Sequence, residues 1–205
     1  RNIIPEISDS AFATATVREV MDMTTGVQYS EDYSDPNADI WLYSAAASPL
    51  PKPEDYAGPD GYWESLQQVQ PEGHHGDQFH YKTINSDMLG WILSRVSGKW
   101  VTELASERLW RRMGAEQDAY QTVDGKGVPF AGGGLTAGLR DLGRLGLLML
   151  NEGIIHGERL FSADVVQKIR AGGDPSKFAG FPTIPNGSYT RQWWVFHNKH
   201  GAFAA

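Results

Sequence analysis

Three stretches of this sequence carry apolar residues at helical spacing and end at a glycine, and they constrain the fold more than any other feature. They cover residues 85–98, 101–114 and 136–153. Asn85 and Thr136 are suitable N-caps for the first and the third. A fourth helix is predicted from Ser162 to about Gly172. Each amphipathic helix must bury one face, so the sequence predicts a mainly α fold with a few short strands.

The remaining helical signals are short. Thr16 and Glu19 have the spacing of a capping box, which predicts a short helix directly after Thr16. Residues 27–58 show no sustained period, so we expect mostly loop with one helical turn near residues 38–44. Asp60 is expected to cap a further short helix.

Residues 188–196 are typical of a single β-strand. Trp193 and Trp194 could stack on a ligand, but neighbouring strand positions face opposite ways, so at least one is expected in the core. The chain reaches Ala205 without a return strand that would satisfy this backbone. We therefore expect residues 1–205 to be a single partial domain, completed by N- and C-terminal parts of the same fold outside the chain.

Composition excludes several classes of protein. The 25 acidic and 18 basic residues give a net charge of -7, which argues against nonspecific nucleic-acid binding. The absence of cysteine excludes a disulfide scaffold, a thiol nucleophile and cysteine-ligated zinc. Apolar runs such as residues 147–150 are far shorter than the roughly 20 residues that span a bilayer, so no membrane partner is expected. No targeting segment is recognisable, the cytoplasm is weakly favoured, and homo-oligomerisation stays open.

Two local clusters have both a functional and a structural interpretation. A run of polar residues could bind a metal, but it lacks helical ligand spacing and a second motif, so a solvated loop is expected. Its members are His74, His75, Asp77 and His80. The glycines at residues 132–134 could present amides to an anion, but no Gly-Lys-Ser/Thr ending follows. We expect these glycines to allow close backbone approach instead.

The usual serine-nucleophile signatures do not occur. None of the fourteen serines begins a Ser-x-x-Lys motif or lies in Gly-x-Ser-x-Gly. Tyr81 lies four residues before Asn85, at the predicted start of a helix. An isolated tyrosine here is usually packed, and its pKa of about 10 suits a base only if cationic neighbours and a helix dipole lower it.

Four segments follow one another in an order that covers nearly the whole chain. They are residues 16–26, 79–98, 131–146 and 187–194, and the second contains Phe79-His80-Tyr81. Together they resemble the serine β-lactamase-like hydrolases, which include class C β-lactamases, penicillin-binding carboxypeptidases, related esterases and 6-aminohexanoate-dimer hydrolases. The fourth segment and residues 29–36 are most similar to the 6-aminohexanoate-dimer hydrolase branch.

The resemblance implies the helical subdomain of an α+β β-lactamase-like (DD-peptidase) fold plus the start of its β-sheet. It implies acyl transfer to the serine of a Ser-x-x-Lys helix from a small-molecule amide or ester, with no metal or cofactor. Tyr81 would be the catalytic tyrosine, and Tyr33 would contact the substrate amide. The family's Tyr-x-Asn motif has Thr83 in place of asparagine here. The nucleophile is expected outside this chain, which should be inactive alone.

Two other classes of function stay open. The first is a noncatalytic module that binds a peptide or small molecule through the aromatic residues between positions 29 and 63. The second is a helical interaction domain without a ligand, which predicts that Tyr33 and Tyr81 are buried apart and do not share a cleft.

Overall fold

The computed structural model describes residues 2–178, 181 and 183–205. The chain divides into two compact units. The first unit comprises Arg1–Val101 and Thr122–Gly134, and the second comprises Thr102–Gln121 and Leu135–Ala205. Whether both units belong to the single partial domain predicted from the sequence stays a prediction.

Helices dominate the part of the chain that is described. They are α1 (Val17–Met21), α2 (Asp39–Ala47), α3 (Tyr62–Gln67), α4 (Ile84–Ser97), α5 (Val101–Ala105), α6 (Leu139–Leu150) and α7 (Ala163–Ala171). The strands are β1 (Tyr120–Gln121), β2 (Leu135–Thr136), β3 (Ile154–Ile155), β4 (Glu158–Arg159), β5 (Ser188–Thr190), β6 (Trp193–Val195) and β7 (Phe203–Ala204). None of the helices in the described ranges combines the length and apolar character needed to cross a membrane.

Helix α4 organises the first unit by contacting α1 and α3. Trp91 of α4 stacks on Trp63 of α3 with ring centroids 4.9 Å apart. The fully buried side chains Ile84 and Met88 lie on the same helix within the main apolar core. The helix ends where the sequence predicts, because Gly98 adopts the left-handed conformation at φ 69°.

The start of α4 differs from the prediction. Asn85 is not the N-cap but lies inside the first turn, fully buried. Its side chain accepts a hydrogen bond from Thr25 Oγ1 at 2.8 Å and donates one to the carbonyl of Lys82 at 3.2 Å. The backbone amide of Thr83 instead donates to the carboxylate of Glu31. A residue distant in sequence thus satisfies one of the free amides at this helix start.

At two other short helices of this unit, side chains likewise accept backbone amides at or before the helix start. The capping box of Thr16 and Glu19 is confirmed, with both reciprocal hydrogen bonds present at α1. The helical turn expected near residues 38–44 is a longer helix, α2. Asp39 in its first turn accepts a hydrogen bond from the amide of Ser30 at 2.8 Å, which fixes the preceding loop to the helix.

Asp60 does not cap α3. The residue before the helix is Gly61, and no side chain of its own caps the turn. Buried Asp124 takes this role from the loop after β1, accepting the amides of Tyr62, Lys126 and Val128 at 2.9 Å each. The sequence prediction was wrong because the capping carboxylate comes from a distant segment.

The glycine loop at residues 132–134 packs against α4 through a buried carboxyl group. The amide of Gly132 donates to Asp87 Oδ1 at 3.1 Å, and the hydroxyl of Tyr43 donates to Oδ2 at 2.8 Å. A Cβ at Gly132 would collide with Thr83, so the predicted close approach is confirmed there. Burial raises the pKa of Asp87 to about 7, although these hydrogen bonds oppose the shift.

The second unit contains α6 and α7. Helix α7 begins directly after Ser162, at the predicted start, and Ser162 caps it by accepting the amide of Asp164. Thr136 does not cap α6, because it lies in β2 and the helix begins only after Gly138. The helix predicted over residues 101–114 divides into α5 and a π-helical stretch, Ser106–Trp110.

The C-terminal region is a three-stranded antiparallel sheet in the order β5-β6-β7. The prediction of one strand over residues 188–196 was wrong, because Arg191 and Gln192 turn the chain at φ 53° and 68°. Positive φ at two successive residues matches the twist of a tight hairpin. The expected lack of a partner strand was wrong as well. Trp194 packs on Tyr189 and Trp193 on Phe203, with centroids 5.1 and 5.3 Å apart. Both indoles are partly buried, and Trp193 packs against the core cluster around Met149.

Replacing Asp124 with alanine should destabilise the protein far more than replacing Asp60. Asp124→Ala leaves three backbone amides without their acceptor, and unsatisfied buried groups cost about 1–3 kcal/mol each. Asp60 makes an exposed ion pair with Lys126 at 3.4 Å, and such pairs contribute at most about 1 kcal/mol. Urea unfolding of both variants measures the difference, and equal losses would contradict the role given to Asp124.

The Asp87→Asn variant should alter how stability depends on pH. The folded-state pKa of Asp87, about 7, lies above the value of about 3.9 in an unfolded chain. The stability that Asp87 contributes is therefore full at acid pH and is lost as the pH rises towards and through 7.

The unfolding free energy of the wild type minus that of Asp87→Asn should accordingly fall between pH 4.5 and 8, by up to about 1.4 kcal/mol per pH unit. Urea titrations at several pH values measure this difference. The control is Asp9→Asn at an exposed position, for which we expect no such fall. Parallel curves for wild type and Asp87→Asn would show that Asp87 is ionised throughout this range.

Candidate functional site

The two tyrosines singled out from the sequence both lie in the first unit and both reach solvent. Tyr81 is 43 % exposed and Tyr33 is 64 % exposed. Tyr81 lies two residues before Thr83, the residue preceding α4, and Tyr33 lies in the loop before α2. Partial exposure leaves both side chains accessible to a ligand, unlike the buried and separate tyrosines expected of a purely structural helical domain.

Tyr81 lies within electrostatic reach of both Glu31 and Tyr33. Burial raises the pKa of Tyr81, and the charges of Glu31 and then Tyr33 raise it further. The carboxylate of Glu31 also accepts the backbone amide of Thr83, so the segment that carries Tyr33 meets the segment that carries Tyr81.

The Tyr33 loop has a defined shape. Asp32 accepts the amide of Ser34 at 2.9 Å and its hydroxyl at 2.6 Å. The Tyr33 ring meets the ring of Trp41 edge-on with centroids 5.7 Å apart. The indole Nε1 of Trp41 donates to the carbonyl of Asp35 at 3.0 Å. These contacts hold Tyr33 on the surface in front of α2.

The cation next to Tyr81 in sequence is engaged elsewhere. The Lys82 ammonium group is buried, donates to the carbonyl of Val27, and pairs with Glu72 Oε2 at 2.6 Å. A phenolate base needs a cation nearby to lower its pKa. Glu31 has the opposite effect, so these neighbours favour the neutral, proton-donating form of Tyr81.

The amide that the Tyr-x-Asn motif would supply is not provided by the next asparagine along the chain. Asn85 is fully buried and bonded within the protein. Thr83, at the motif position, is 7 % exposed and packs beside Gly132. Both tyrosines combine exposure with a polar end, and so do their neighbours His80 and Asp32.

The polar cluster around His75 serves a structural purpose. Its Nδ1 accepts the amide of Gly26 at 3.0 Å, so Nε2 carries the proton and lies 3.1 Å from the carbonyl of Ala11. Across residues 2–178, 181 and 183–205, no three His, Asp or Glu side chains are grouped closely enough to hold a metal ion.

Sequence reasoning missed Glu31 and Asp87. Glu31 stands in an acidic loop without a motif, and nothing local links it to Thr83, more than fifty residues later. Asp87 interrupts the apolar face of the predicted helix, and a carboxylate on such a face is a signal of a buried polar contact. That signal identifies the residue but not its partners.

Comparison with known proteins identifies a family. The Beta-lactamase family model matches residues 1–203. The chain is 36 % identical over 201 residues to the 6-aminohexanoate-dimer hydrolase of Paenarthrobacter ureafaciens, covering 97 % of this chain and 50 % of that protein. The chain therefore spans about half the length of the curated relative that it matches.

Solved structures show the same relationship. A candidate 6-aminohexanoate-dimer hydrolase from Bacillus anthracis superimposes with a TM-score of 0.84 at 33 % identity, over 98 % of this chain and 52 % of its own. A penicillin-binding protein from Bacillus halodurans, 17 % identical, has a TM-score of 0.63 over 93 % of this chain and 60 % of its own, which shows the fold alone. The resemblance inferred from the sequence is confirmed at this level: the chain belongs to the beta-lactamase family.

Proposed function

We propose that the protein to which this chain belongs is a serine hydrolase that cleaves an amide or ester bond of a small molecule through an acyl-enzyme. The observation that carries the proposal is that Tyr33 and Tyr81 are both exposed and lie in two segments that the Glu31–Thr83 hydrogen bond joins at the start of α4. The chain's identity to a 6-aminohexanoate-dimer hydrolase supports an amide as the substrate bond. No nucleic acid, membrane or cofactor takes part in this proposal.

Tyr81 is the proton carrier in this mechanism. A serine hydroxyl attacks the carbonyl carbon, a new C–O bond forms, and the serine proton passes to a base of the nucleophile helix. The Tyr81 hydroxyl then donates its proton to the leaving nitrogen or oxygen as the C–N or C–O bond breaks, and the protonated base returns a proton to Tyr81. Tyr81 holds the proton that it donates, since its pKa is raised above that of an ordinary phenol.

The nucleophile comes from outside the 205 residues. No serine of the chain begins a Ser-x-x-Lys motif. The chain then corresponds to the helical subdomain of the β-lactamase-like fold together with the start of its sheet. Tyr33 contributes the contact to the substrate amide.

A noncatalytic binding module on the same fold is the second candidate. It is favoured by the absence of the nucleophile motif and by the engagement of Lys82 away from Tyr81. Both candidates use the same exposed aromatic surface, so both predict binding of a ligand there. A measurement of turnover, and not a binding assay, distinguishes them.

The Tyr81→Phe change in the whole protein should lower kcat for amide hydrolysis by about 10²–10⁴-fold, since loss of a positioned proton carrier has effects of this size. Steady-state kinetics on 6-aminohexanoate dimer and on short esters measure it. The matched control is Tyr120→Phe at another exposed tyrosine, which should leave kcat unchanged. Turnover close to that of wild type in Tyr81→Phe would contradict the assignment.

Labelling with a fluorophosphonate, followed by intact mass measurement, tests where the nucleophile lies. The 205-residue chain should form no adduct, whereas the whole protein should gain one label on the serine of its Ser-x-x-Lys motif. An adduct on the isolated chain would refute an external nucleophile. A whole protein that stays unlabelled would favour the binding module.

A further inference from the structure

Glu31 connects the two segments that carry the site tyrosines. It precedes Tyr33 by two residues, and its carboxylate accepts the backbone amide of Thr83, two residues after Tyr81. Thr83 is the residue at the N-terminus of α4, where free amides and the helix dipole favour a negative charge. One partly buried side chain therefore joins the Tyr33 loop to the segment of Tyr81.

The opposite side of the same loop is held by α2. The Ser30 amide donates to Asp39 Oδ2 at 2.8 Å, and the Ile40 amide donates to the Ser30 carbonyl at 3.1 Å. The turn beyond is closed by Asp32 on Ser34 and gives the loop its internal shape. Because Ser30 fixes one end of the loop to α2, the contact between Glu31 and Thr83 sets the distance between the loop and α4.

We propose that Glu31 is a positioning residue that fixes Tyr33 relative to Tyr81 by tying the Tyr33 loop to the start of α4. This inference rests on the proposed function only where it concerns turnover. The hydrogen bond between Glu31 and Thr83 is a property of the chain and is measurable without a substrate.

The charge of Glu31 has a second consequence. It raises the pKa of Tyr81, and it also raises that of the buried Tyr29 at the beginning of the loop. Loss of this charge should therefore lower the pKa of Tyr81. Glu31 acts on the position of one tyrosine and on the pKa of the other.

The first test uses the 205-residue chain labelled with ¹³C at tyrosine Cζ, with Tyr81→Phe assigning the resonance. Glu31→Gln keeps an oxygen acceptor for Thr83 and removes the charge, so the pKa of Tyr81 should fall. Asp32→Asn is the matched control, because this neighbouring carboxylate bonds within its own turn. Asp32→Asn should change the pKa of Tyr81 by much less than Glu31→Gln does.

Glu31→Ala removes both the charge and the acceptor. Hydrogen exchange at the Thr83 amide should become at least about tenfold faster in this variant, because an interaction of more than about 1.4 kcal/mol is lost. Glu31→Gln should retain most of the protection. An unchanged pKa of Tyr81 in Glu31→Gln, together with unchanged exchange in Glu31→Ala, would overturn the proposal, and the conservative variant keeps this outcome readable if Glu31→Ala folds poorly.

Kinetics of the whole protein separate this proposal from the proposed function. Glu31→Ala should raise KM by more than it lowers kcat, because Tyr33 loses its place on the substrate, and Glu31→Gln should restore KM while moving the pH profile. If Tyr81→Phe retains turnover, the proposed function fails. The pKa of Tyr81 and the exchange of the Thr83 amide, measured on the 205-residue chain, still test the contact made by Glu31. If Tyr81→Phe is inactive and Glu31→Ala has wild-type KM, kcat and Thr83 exchange, the positioning role is refuted.

Discussion

The carboxyl group of Asp87, buried on α4, is the interaction on which the first unit depends. It joins α4 to the hydroxyl of Tyr43 on α2 and to the amide of Gly132 in the glycine loop. Burial of this group is unfavourable for its charged form, as its raised pKa shows. The hydrogen bonds offset part of that cost and fix three segments far apart in sequence at one point.

The same solution recurs elsewhere in the chain. Asp124 satisfies the start of α3, Glu31 satisfies the start of α4, and Asp141 accepts the amides of Glu116 and Gln117 in the second unit. Backbone amides at helix starts and in loops need acceptors when they are removed from water. In this protein distant carboxylates supply them, which also brings the loop that carries Tyr33 against α4.

The electrostatics of the site follow from this arrangement. Glu31 meets the amide of Thr83 and so places a negative charge near Tyr81, while Lys82 is directed to Val27 and Glu72. The neutral phenol is favoured as a result. The chain spans about half the length of the relatives that it matches, so the roles proposed for Tyr81 and Tyr33 are proposals about the whole protein. The reaction belongs to the whole protein in this view.

The sequence by itself determined the features that depend on neighbouring residues. The capping box of α1, the end of α4 at Gly98, the Ser162 cap of α7 and the family all followed from local pattern and motif order. Tyr81 and Tyr33 were found through the resemblance, and their roles stay predictions. The hairpin of β5 and β6 was missed because its turn residues, Arg191 and Gln192, carry none of the usual glycine or asparagine signals.

Only the tertiary structure decided which polar groups meet. Asn85, Asp60 and Thr136 were reasonable caps by local sequence, yet the acceptors at α3 and α4 come from Asp124 and Glu31. A hydrogen bond between residues fifty or more positions apart leaves no trace in local spacing, because its geometry depends on how the whole chain packs. For the same physical reason, the acidic surroundings of Tyr81 became visible only in the folded chain.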